Sequence, residues 1–403
     1  MEFPDWSSAF PQGKRSLKTR PRHDSHIIRI KEFLRTMKSS QQLTSYLSAI
    51  SLAWCDSCDE SISRELIDLV GPSIKHLHLK PSTPISMDMM PLCLTSLELN
   101  TKVLGLKYPS RSGSNWRYSP PTWRVDRELF YSFFCLPNLR SLSVEGIRGW
   151  DWFEGDALDF SNKTHTSNIT CLKFPYSAPA GRDLSEVLSW PKSLLSYHHE
   201  SCLDDDRMYS CRREWVFMFD VEAFVQTLSS QQASLEEIFI SSANDDGAQT
   251  FPNLIDLSSF SRLRRVGLMV DHLDWPTLYQ DEESPTLPIS IRLPSGLEEL
   301  QIELTEEDRF QDYFDRDHQW AKHCSTWHEV GELGEWLCQI AQSKIKYPNL
   351  RKVTIWRDKN APDVATWIDM RPYRNYHLVE EAFRVANIAI EWVHSRAPPM
   401  FSA

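Results

Sequence analysis

Cysteine and histidine are the residues of this chain whose types and spacing could bind a metal ion. Cys55-Asp-Ser-Cys58 has the spacing of half a zinc site or of a redox pair. A structural zinc site needs a second pair of ligands at a defined distance, and the next cysteine in the chain is Cys93. We therefore expect no metal at this pair.

A second group of side chains that bind soft metals lies between residues 318 and 328. It contains His318, His323, Cys324 and His328. His323 and His328 are five residues apart, which on a helix directs them to different faces. The His-Glu-x-x-His arrangement of zinc hydrolases does not occur in the sequence. The sequence therefore predicts neither a metal nor another cofactor.

Motifs of common catalytic sites do not occur either. The sequence has no Gly-x-Ser-x-Gly turn and no phosphate-binding loop. Asp204-Asp205-Asp206 is a run of carboxylates in a polar stretch, where solvent is its expected surrounding. We therefore predict no catalytic residue and a protein that is not an enzyme.

Composition limits the class of protein further. The chain has 403 residues, 41% of them hydrophobic, and a formal net charge of −11. This hydrophobic content supports a folded core, whereas the negative charge disfavours binding to nucleic acid. The sequence shows no signal peptide and no apolar stretch long enough to span a membrane. We expect a cytoplasmic or nuclear protein with reduced cysteines, and neither nucleic acid nor a membrane as a partner.

The scaffold of the protein is indicated by one short sequence pattern that recurs along nearly the whole chain. It is an apolar residue, two spacers, an apolar residue, one spacer and an apolar residue, as in LPNLRSLSVEG at residues 136–146 and YPNLRKVTIW at residues 347–356. Recurrence of this kind indicates a repeat protein. The copies are Leu47-Ile50-Leu52, Ile74-Leu77-Leu79, Leu94-Leu97-Leu99, Leu139-Leu142-Val144, Ile169-Leu172-Phe174, Leu194-Tyr197-His199, Leu235-Ile238-Ile240, Leu263-Val266-Leu268, Leu297-Leu300-Ile302 and Leu350-Val353-Ile355.

Each copy has the pattern of a short strand entered through a turn. The last two apolar residues point to one face because side chains alternate along a strand, and Pro-Asn or Pro-Ser before several copies ends the preceding element. Helix-like stretches lie between copies, such as ESISRELIDLVG at residues 60–71. One strand and one helix per repeat predict an α/β leucine-rich-repeat solenoid with parallel strands on its concave side and helices on its convex side. An ordinary α/β sheet built from βαβ units is the alternative.

Helices are expected to cover both ends of the solenoid, because terminal repeats expose their core. SHIIRIKEFLRTMKSSQQ at residues 25–42 and HLVEEAFRVANIAIEWVHSR at residues 377–396 are the candidate capping helices. We therefore divide the chain into an N-terminal tail and capping helix at 1–45, a leucine-rich-repeat solenoid at 46–358, and a C-terminal capping helix and tail at 359–403.

The repeats give the chain a resemblance to a known family. LPNLRSLSVEG, FPNLIDLSSFSRLRRVGL, LPSGLEELQIEL and YPNLRKVTIW resemble the leucine-rich-repeat proteins of fungi, many of which are F-box proteins. In such proteins an N-terminal helical module binds the adaptor of an SCF ubiquitin ligase, and the repeats hold the substrate. The Leu-Pro-x-Glu step with which an F-box usually begins is absent here. An F-box is therefore either lost or lies upstream, and no residue is assigned to the adaptor.

The partner is expected on the concave face, which the spacer residues of the strands form. Phe239, Met269 and Trp356 are large apolar residues among mostly polar spacers, and exposed apolar residues often anchor a partner. Glu299 and Glu303 make the same stretch acidic. The sequence therefore predicts these five residues as the partner-binding site.

These features favour a non-catalytic scaffold for protein–protein interaction, in its most specific form the substrate-recognition subunit of an SCF-type ubiquitin ligase. Two alternatives stay open. One is an α/β enzyme such as a hydrolase, which would have a closed pocket with perturbed titratable groups. The other is a degenerate family member without a partner.

Overall fold

The described part of the chain forms one long sheet, with helices between its strands, and one small two-stranded sheet. The computed structural model describes residues 21–53, 60–80, 90–100, 105–107, 123–125, 127–147, 163–175, 177, 181–201, 221–242, 256–269, 293–303, 337–338, 340–358 and 376–395. The strands are β1 (Ala49–Ala53), β2 (His76–Lys80), β3 (Ser96–Asn100), β4 (Gly105–Lys107), β5 (Trp123–Val125), β6 (Ser141–Glu145), β7 (Cys171–Phe174), β8 (Ser196–Ser201), β9 (Glu237–Ser242), β10 (Arg265–Met269), β11 (Glu299–Glu303), β12 (Lys352–Asp358) and β13 (Ala389–Ser395). The helices are α1 (Pro21–Ser39), α2 (Gln41–Tyr46), α3 (Glu60–Val70), α4 (Arg127–Phe134), α5 (Gly181–Ser189), α6 (Val221–Leu228) and α7 (Tyr376–Val385), with 3₁₀ turns at Ser229–Gln231 and Ser343–Ile345.

Eleven strands form a single parallel sheet in chain order. The order is β1-β2-β3-β6-β7-β8-β9-β10-β11-β12-β13, and each strand pairs with the next one along the chain. β4 and β5 pair with each other, antiparallel, in a separate two-stranded sheet. A doubly wound α/β sheet reverses its strand order at a switch point, and the order among the described strands does not reverse. The fold is therefore a solenoid-like α/β arrangement.

The register of the sheet aligns the recurring apolar residues in rows. Leu77 is opposite Leu97, which is opposite Leu142 on the next strand. All three side chains have at most 2% of their surface exposed, and burial of a leucine side chain stabilises the fold by roughly 2 kcal/mol. The same row runs on through Leu172, Tyr197, Ile238, Val266, Leu300, Val353 and Ile390. The repeat pattern thus predicted every strand of this sheet except β13, and the core-facing row of each.

One hydrogen-bonding arrangement fixes this register at successive strands. The carbonyl before β6, that of Arg140, accepts from Thr170 N at 2.8 Å and Cys171 N at 2.9 Å. The carbonyl before β10, that of Arg264, accepts from Glu298 N and Glu299 N in the same way. Because one carbonyl accepts from two successive N–H groups of the next repeat, the next strand cannot shift its register by one residue without losing these hydrogen bonds. The other carbonyls in this role are those of Ser48, Lys75, Thr95, Thr170, Leu195, Glu236 and Glu298.

The Pro-Asn step before a strand forms a tight turn. Leu139 N donates to Leu136 O at 3.3 Å, and Leu350 N donates to Tyr347 O at 3.0 Å, so proline and asparagine fill the two central positions. Proline suits the first of these because its φ is already fixed near the required value. The Asn138 side chain donates to Leu92 O at 2.9 Å and ties the turn to the previous repeat. The turn explains why the two stretches share Pro-Asn before the leucine that enters the strand.

Helices on the core face of the sheet complete the hydrophobic core. The predicted helix at residues 60–71 is confirmed as α3, whose Leu66, Ile67 and Val70 are buried. It ends at Gly71, where the chain passes so close to Ile67 O that an added Cβ would lie 2.5 Å from that oxygen. The predicted N-terminal helix is also present as α1, which packs against α2 and α3 through Leu34 and Met37.

The prediction of one C-terminal capping helix is wrong in its second half. Helix α7 ends at Val385, and Asn387 adopts a left-handed backbone conformation with φ of 54°. The chain then forms β13, which pairs in parallel with β12. Asparagine tolerates this conformation better than most residues, so it stops the helix, and Ile390 and Trp392 continue the sheet's core-facing rows.

Candidate functional site

The side of the sheet that faces away from the core is the surface on which the sequence places a partner. We call it the outward face; it consists of the first, third and fifth residues of each strand. Its outward residues from β2 to β8 are half-buried or exposed, and we call this region the open half. The open half contains His76, His78, Ser96, Glu98, Ser141, Ser143, Glu145, Cys171, Lys173, Ser196, His198 and Glu200.

The outward face changes character at β9. From there to β12 most outward side chains are buried, and β11 is buried on both of its faces. We call this region the covered half; it contains Glu237, Phe239, Ser241, Gly267, Glu299, Gln301, Glu303, Thr354 and Trp356. A sheet that is solvated on one side should alternate between buried and exposed residues along each strand. The covered half does not alternate, and the open half does.

The predicted partner-binding residues lie in the covered half. Phe239 and Trp356 are each only 4% exposed, so the prediction that they are exposed anchors is wrong. Their rings instead contact each other edge to face, with centroids 6.4 Å apart. The prediction failed because alternation along a strand shows which face a residue occupies and not whether that face is open.

The two predicted glutamates are buried as well. Glu299 accepts a hydrogen bond from the Arg351 guanidinium at 3.0 Å, and Glu303 is 6% exposed. The side chain of Met269 lies outside the described residues. The structure thus brings Phe239 and Trp356 together but does not present the predicted set to solvent.

A polar network lies where the open and covered halves meet. Glu237 Oε1 accepts hydrogen bonds from Ser196 Oγ at 3.1 Å and from His198 Nε2. Glu237 Oε2 accepts from Arg265, whose Nε and Nη2 both lie 3.1 Å away. The Phe239 ring packs against the His198 ring on the next strand, with centroids 5.7 Å apart. These residues join β8, β9 and β10 across the outward face.

The network keeps the buried carboxylate ionised. Burial by itself raises the pKa of Glu237, but the hydrogen bond and charge of His198, the charge of Arg265 and the Ser196 hydroxyl together lower that pKa below its usual value. A carboxylate held in this way is a weak proton acceptor at neutral pH. Its role in this arrangement is to hold three strands in register.

The order of the groups differs from that of a nucleophilic triad. In a triad the imidazole lies between the hydroxyl and the carboxylate, so that it takes the hydroxyl proton. Here the carboxylate of Glu237 lies between Ser196 and His198 and accepts from both. The geometry therefore gives Ser196 no general base among these partners. The sequence reasoning missed Ser196 and His198, although their positions as spacers in the copy Leu194-Tyr197-His199 place them on the outward face.

A smaller polar group lies at the other end of the open half. His78 Nδ1 is 3.3 Å from Ser51 Oγ and 3.8 Å from a carboxylate oxygen of Glu98. His76 and Glu98 are exposed. The open half therefore presents donors, acceptors and charges of both signs, and its histidines lie at both of its ends.

His199 is a polar residue in the core-facing rows, at a position where the repeat pattern has an apolar side chain. It is fully buried between Phe174 and Ile240, and its Nδ1 lies 3.0 Å from the Tyr197 hydroxyl. Burial lowers the pKa of His199 to about 4, although a backbone hydrogen bond with Ser177 opposes this. The side chain is therefore neutral at pH 7 and acts as a core residue.

The candidate metal ligands at Cys55, Cys58, His318, His323, Cys324 and His328 lie outside the described residues, as does the Asp204-Asp205-Asp206 run. Within the described ranges no group of three or more His, Cys, Asp or Glu could hold a metal ion. No helix in the same part of the chain is long and apolar enough to cross a membrane.

Comparisons with protein-family models, with curated proteins and with solved structures each found no match.

Proposed function

We propose that this chain is a leucine-rich-repeat protein that binds another protein through the open half of its outward face. The observation that carries the proposal is the strand order of the sheet. Strands that follow one another in parallel place equivalent side chains side by side at about 4.8 Å, and the open half extends this surface over β2, β3, β6, β7 and β8. An extended surface of repeated units suits a macromolecular partner.

The chemistry of the open half indicates a polar partner. One row of it runs from His78 through Glu98, Ser143 and Lys173 to His198, each opposite the next in register. Such a row offers one carboxylate, one ammonium group, one hydroxyl and two imidazoles, which favours a polar partner surface with mixed charge over an apolar or uniformly charged one.

In its most specific form the proposal is that this protein is the substrate-recognition subunit of an SCF-type ubiquitin ligase. The support for this form is the resemblance of the repeats to those of fungal F-box proteins. The adaptor would bind outside the open half, which would remain free for the substrate.

The experiment is affinity capture of the tagged chain from a lysate of its native cells, with the recovered proteins identified by mass spectrometry. The proposal expects the SCF adaptor and a cullin among them, together with further proteins as candidate substrates. Recovery of other proteins without the adaptor would remove the ubiquitin ligase from the proposal. Recovery of no protein above a blank resin would contradict the scaffold itself.

A further inference from the structure

The two end strands of the sheet, β1 and β13, have few of the features that usually prevent an edge strand from pairing with another strand. No described strand lies beyond β1 or beyond β13. β1 reads AISLA and carries no charge, and the charged side chain of β13, Glu391, pairs with Lys352 at 2.8 Å. Natural edge strands are usually protected by charges, proline or bulges. These two strands have little of that protection.

The hydrogen-bonding groups at the two ends match the arrangement used inside the sheet. At the junction of β12 and β13, Arg351 O accepts from Ala389 N at 2.8 Å. By register, Ile388 holds the position of Arg351 one strand later, and Ala49 holds the position of Ala389. If β13 of one copy paired in parallel with β1 of another copy, Ile388 O would be the acceptor and Ala49 N the donor.

The side chains of the two strands also complement each other. In the register that this junction sets, Ile390 would lie opposite Ile50, both on the core face, and Trp392 would pair with Leu52. On the outward face, Ala389 would lie opposite Ala49. Both alanines are exposed, so neither side chain would obstruct the approach of the strands.

The helices beside the end strands expose apolar residues and opposite charges. Tyr46 is 72% exposed on α2, and Val385 is 71% exposed on α7. The exposed charged residues of α1 are Arg29, Lys31, Glu32, Arg35 and Lys38, and those of α7 are Glu380, Glu381 and Arg384, of which Glu381 and Arg384 pair with each other. If the two ends met, a helix surface of net positive charge would face one of net negative charge, which favours this orientation over joining two like ends.

We propose that copies of this chain associate head to tail, with β13 of one copy pairing in parallel with β1 of the next. A contact between two different surfaces of the same chain does not close on itself unless a rotation returns it to the start, so it produces an open series. The association is independent of the open half, which stays accessible in every copy.

Sedimentation velocity over a hundredfold range of concentration tests the association. The proposal expects species larger than the monomer whose share rises with concentration and falls with added salt. A single monomer at all concentrations would overturn it.

Cysteine cross-linking tests the orientation. Ala49→Cys and Ala389→Cys are made in separate full-length chains, which are mixed and oxidised mildly. The proposal expects a dimer whose disulfide, identified by peptide mass spectrometry, joins the two introduced thiols, in at least tenfold excess over either variant alone. Disulfides that join only two copies of the same variant, or the absence of a disulfide between the two variants, would overturn the head-to-tail arrangement.

An edge substitution separates association from folding. Ala49 and Ser51 direct their N–H groups to the free edge, because Ser48 O is used by β2. Ser51→Pro removes one edge donor without removing a backbone hydrogen bond within the sheet. Ser51→Ala is the matched control, because both variants lose the contact between Ser51 Oγ and His78. We expect the proline variant to stay folded by circular dichroism and monomeric, while the alanine variant associates like the parent. Equal association of both variants would contradict the proposed contact.

Discussion

Phe239 and Trp356 are in contact although two strands separate them. Phe239 lies on β9 and Trp356 on β12, so their backbones are three strand spacings, about 14 Å, apart, yet their ring centroids are 6.4 Å apart. The Phe239 ring reaches across β10, where Gly267 leaves space for it. Both rings are therefore buried in the region where the sequence predicts exposed anchors.

Gly267 is needed for this contact. A Cβ at residue 267 would lie 2.2 Å from Phe239 Cδ2, far closer than atoms can approach. We expect Gly267→Ala to displace the ring and lower the free energy of unfolding by about 1–3 kcal/mol. Chemical denaturation followed by circular dichroism measures the change in stability.

Gly296→Ala is the matched control, because its nearest heavy atom would be at 3.7 Å. We expect it to change stability by less than about 0.5 kcal/mol. The double variant Gly267→Ala, Phe239→Ala relieves the clash, so Gly267→Ala should cost less in that background. Equal effects of the two glycine substitutions in the parent chain would refute the role of the ring.

The Glu237 carboxylate stabilises the junction between the two halves of the outward face. Glu237→Gln keeps the shape but removes the charge that His198 and Arg265 contact, and we expect a loss of about 1–3 kcal/mol in the free energy of unfolding. Since the pKa of Glu237 is lowered in the folded state, its stabilisation is present above the unfolded pKa and is lost as the pH falls through the folded value. Urea denaturation at several pH values measures this.

Glu98→Gln serves as the control on the same face. Its carboxylate is exposed and lies 3.8 Å from His78, and exposed pairs contribute little. We expect no measurable change in stability. If both substitutions were equally harmless, the network around Glu237 would have no structural role.

His199 should make the protein sensitive to mild acid. Its pKa is about 4 in the folded state and 6.5 in the unfolded state, so the unfolded chain takes up the proton first. The fold then has its full stability from this group above pH 6.5 and loses it as the pH falls toward 4, by about 2 kcal/mol at pH 5. Thermal or urea unfolding at pH 7 and pH 5 measures the loss.

The double variant Tyr197→Phe, His199→Leu removes the titrating group together with its hydroxyl partner. We expect its stability to fall less between pH 7 and pH 5 than that of the parent. His76→Leu, at an exposed position, is the control and should behave like the parent. An unchanged pH dependence in the double variant would show that His199 is not the group responsible.

The repeating strands were predictable because each copy contains the same alternation of apolar and polar residues, and several copies also have the same turn before the strand. In the copy at residues 139–144, Leu142 and Val144 alternate with polar spacers, and the Pro-Asn turn before Leu139 marks where the strand begins. The structure pairs these residues with the equivalent ones of β3, as the alignment of copies implies. Even His199, which breaks the apolar pattern, occupies the core position that its spacing predicts.

The rest could not be predicted from the pattern alone. HLVEEAFRVANIAIEWVHSR keeps apolar residues at helical spacing past Asn387, and only the backbone conformation of that residue separates α7 from β13. For Phe239 and Trp356, the pattern gives the face correctly. Their burial depends on Gly267 and on contacts across several strands, which no local window of sequence contains.

The most direct test of the account is quantitative affinity capture with two matched variants of the full chain. The open-half variant carries His76→Ala, Glu98→Lys and Lys173→Glu on the outward face. The control variant carries Asp68→Lys and Ser185→Glu, at exposed positions of helices α3 and α5. Circular dichroism confirms that both are folded. We predict that the open-half variant loses specific proteins by tenfold or more, while the control retains them. If both variants captured the same proteins as the parent, the open half would not be the binding surface.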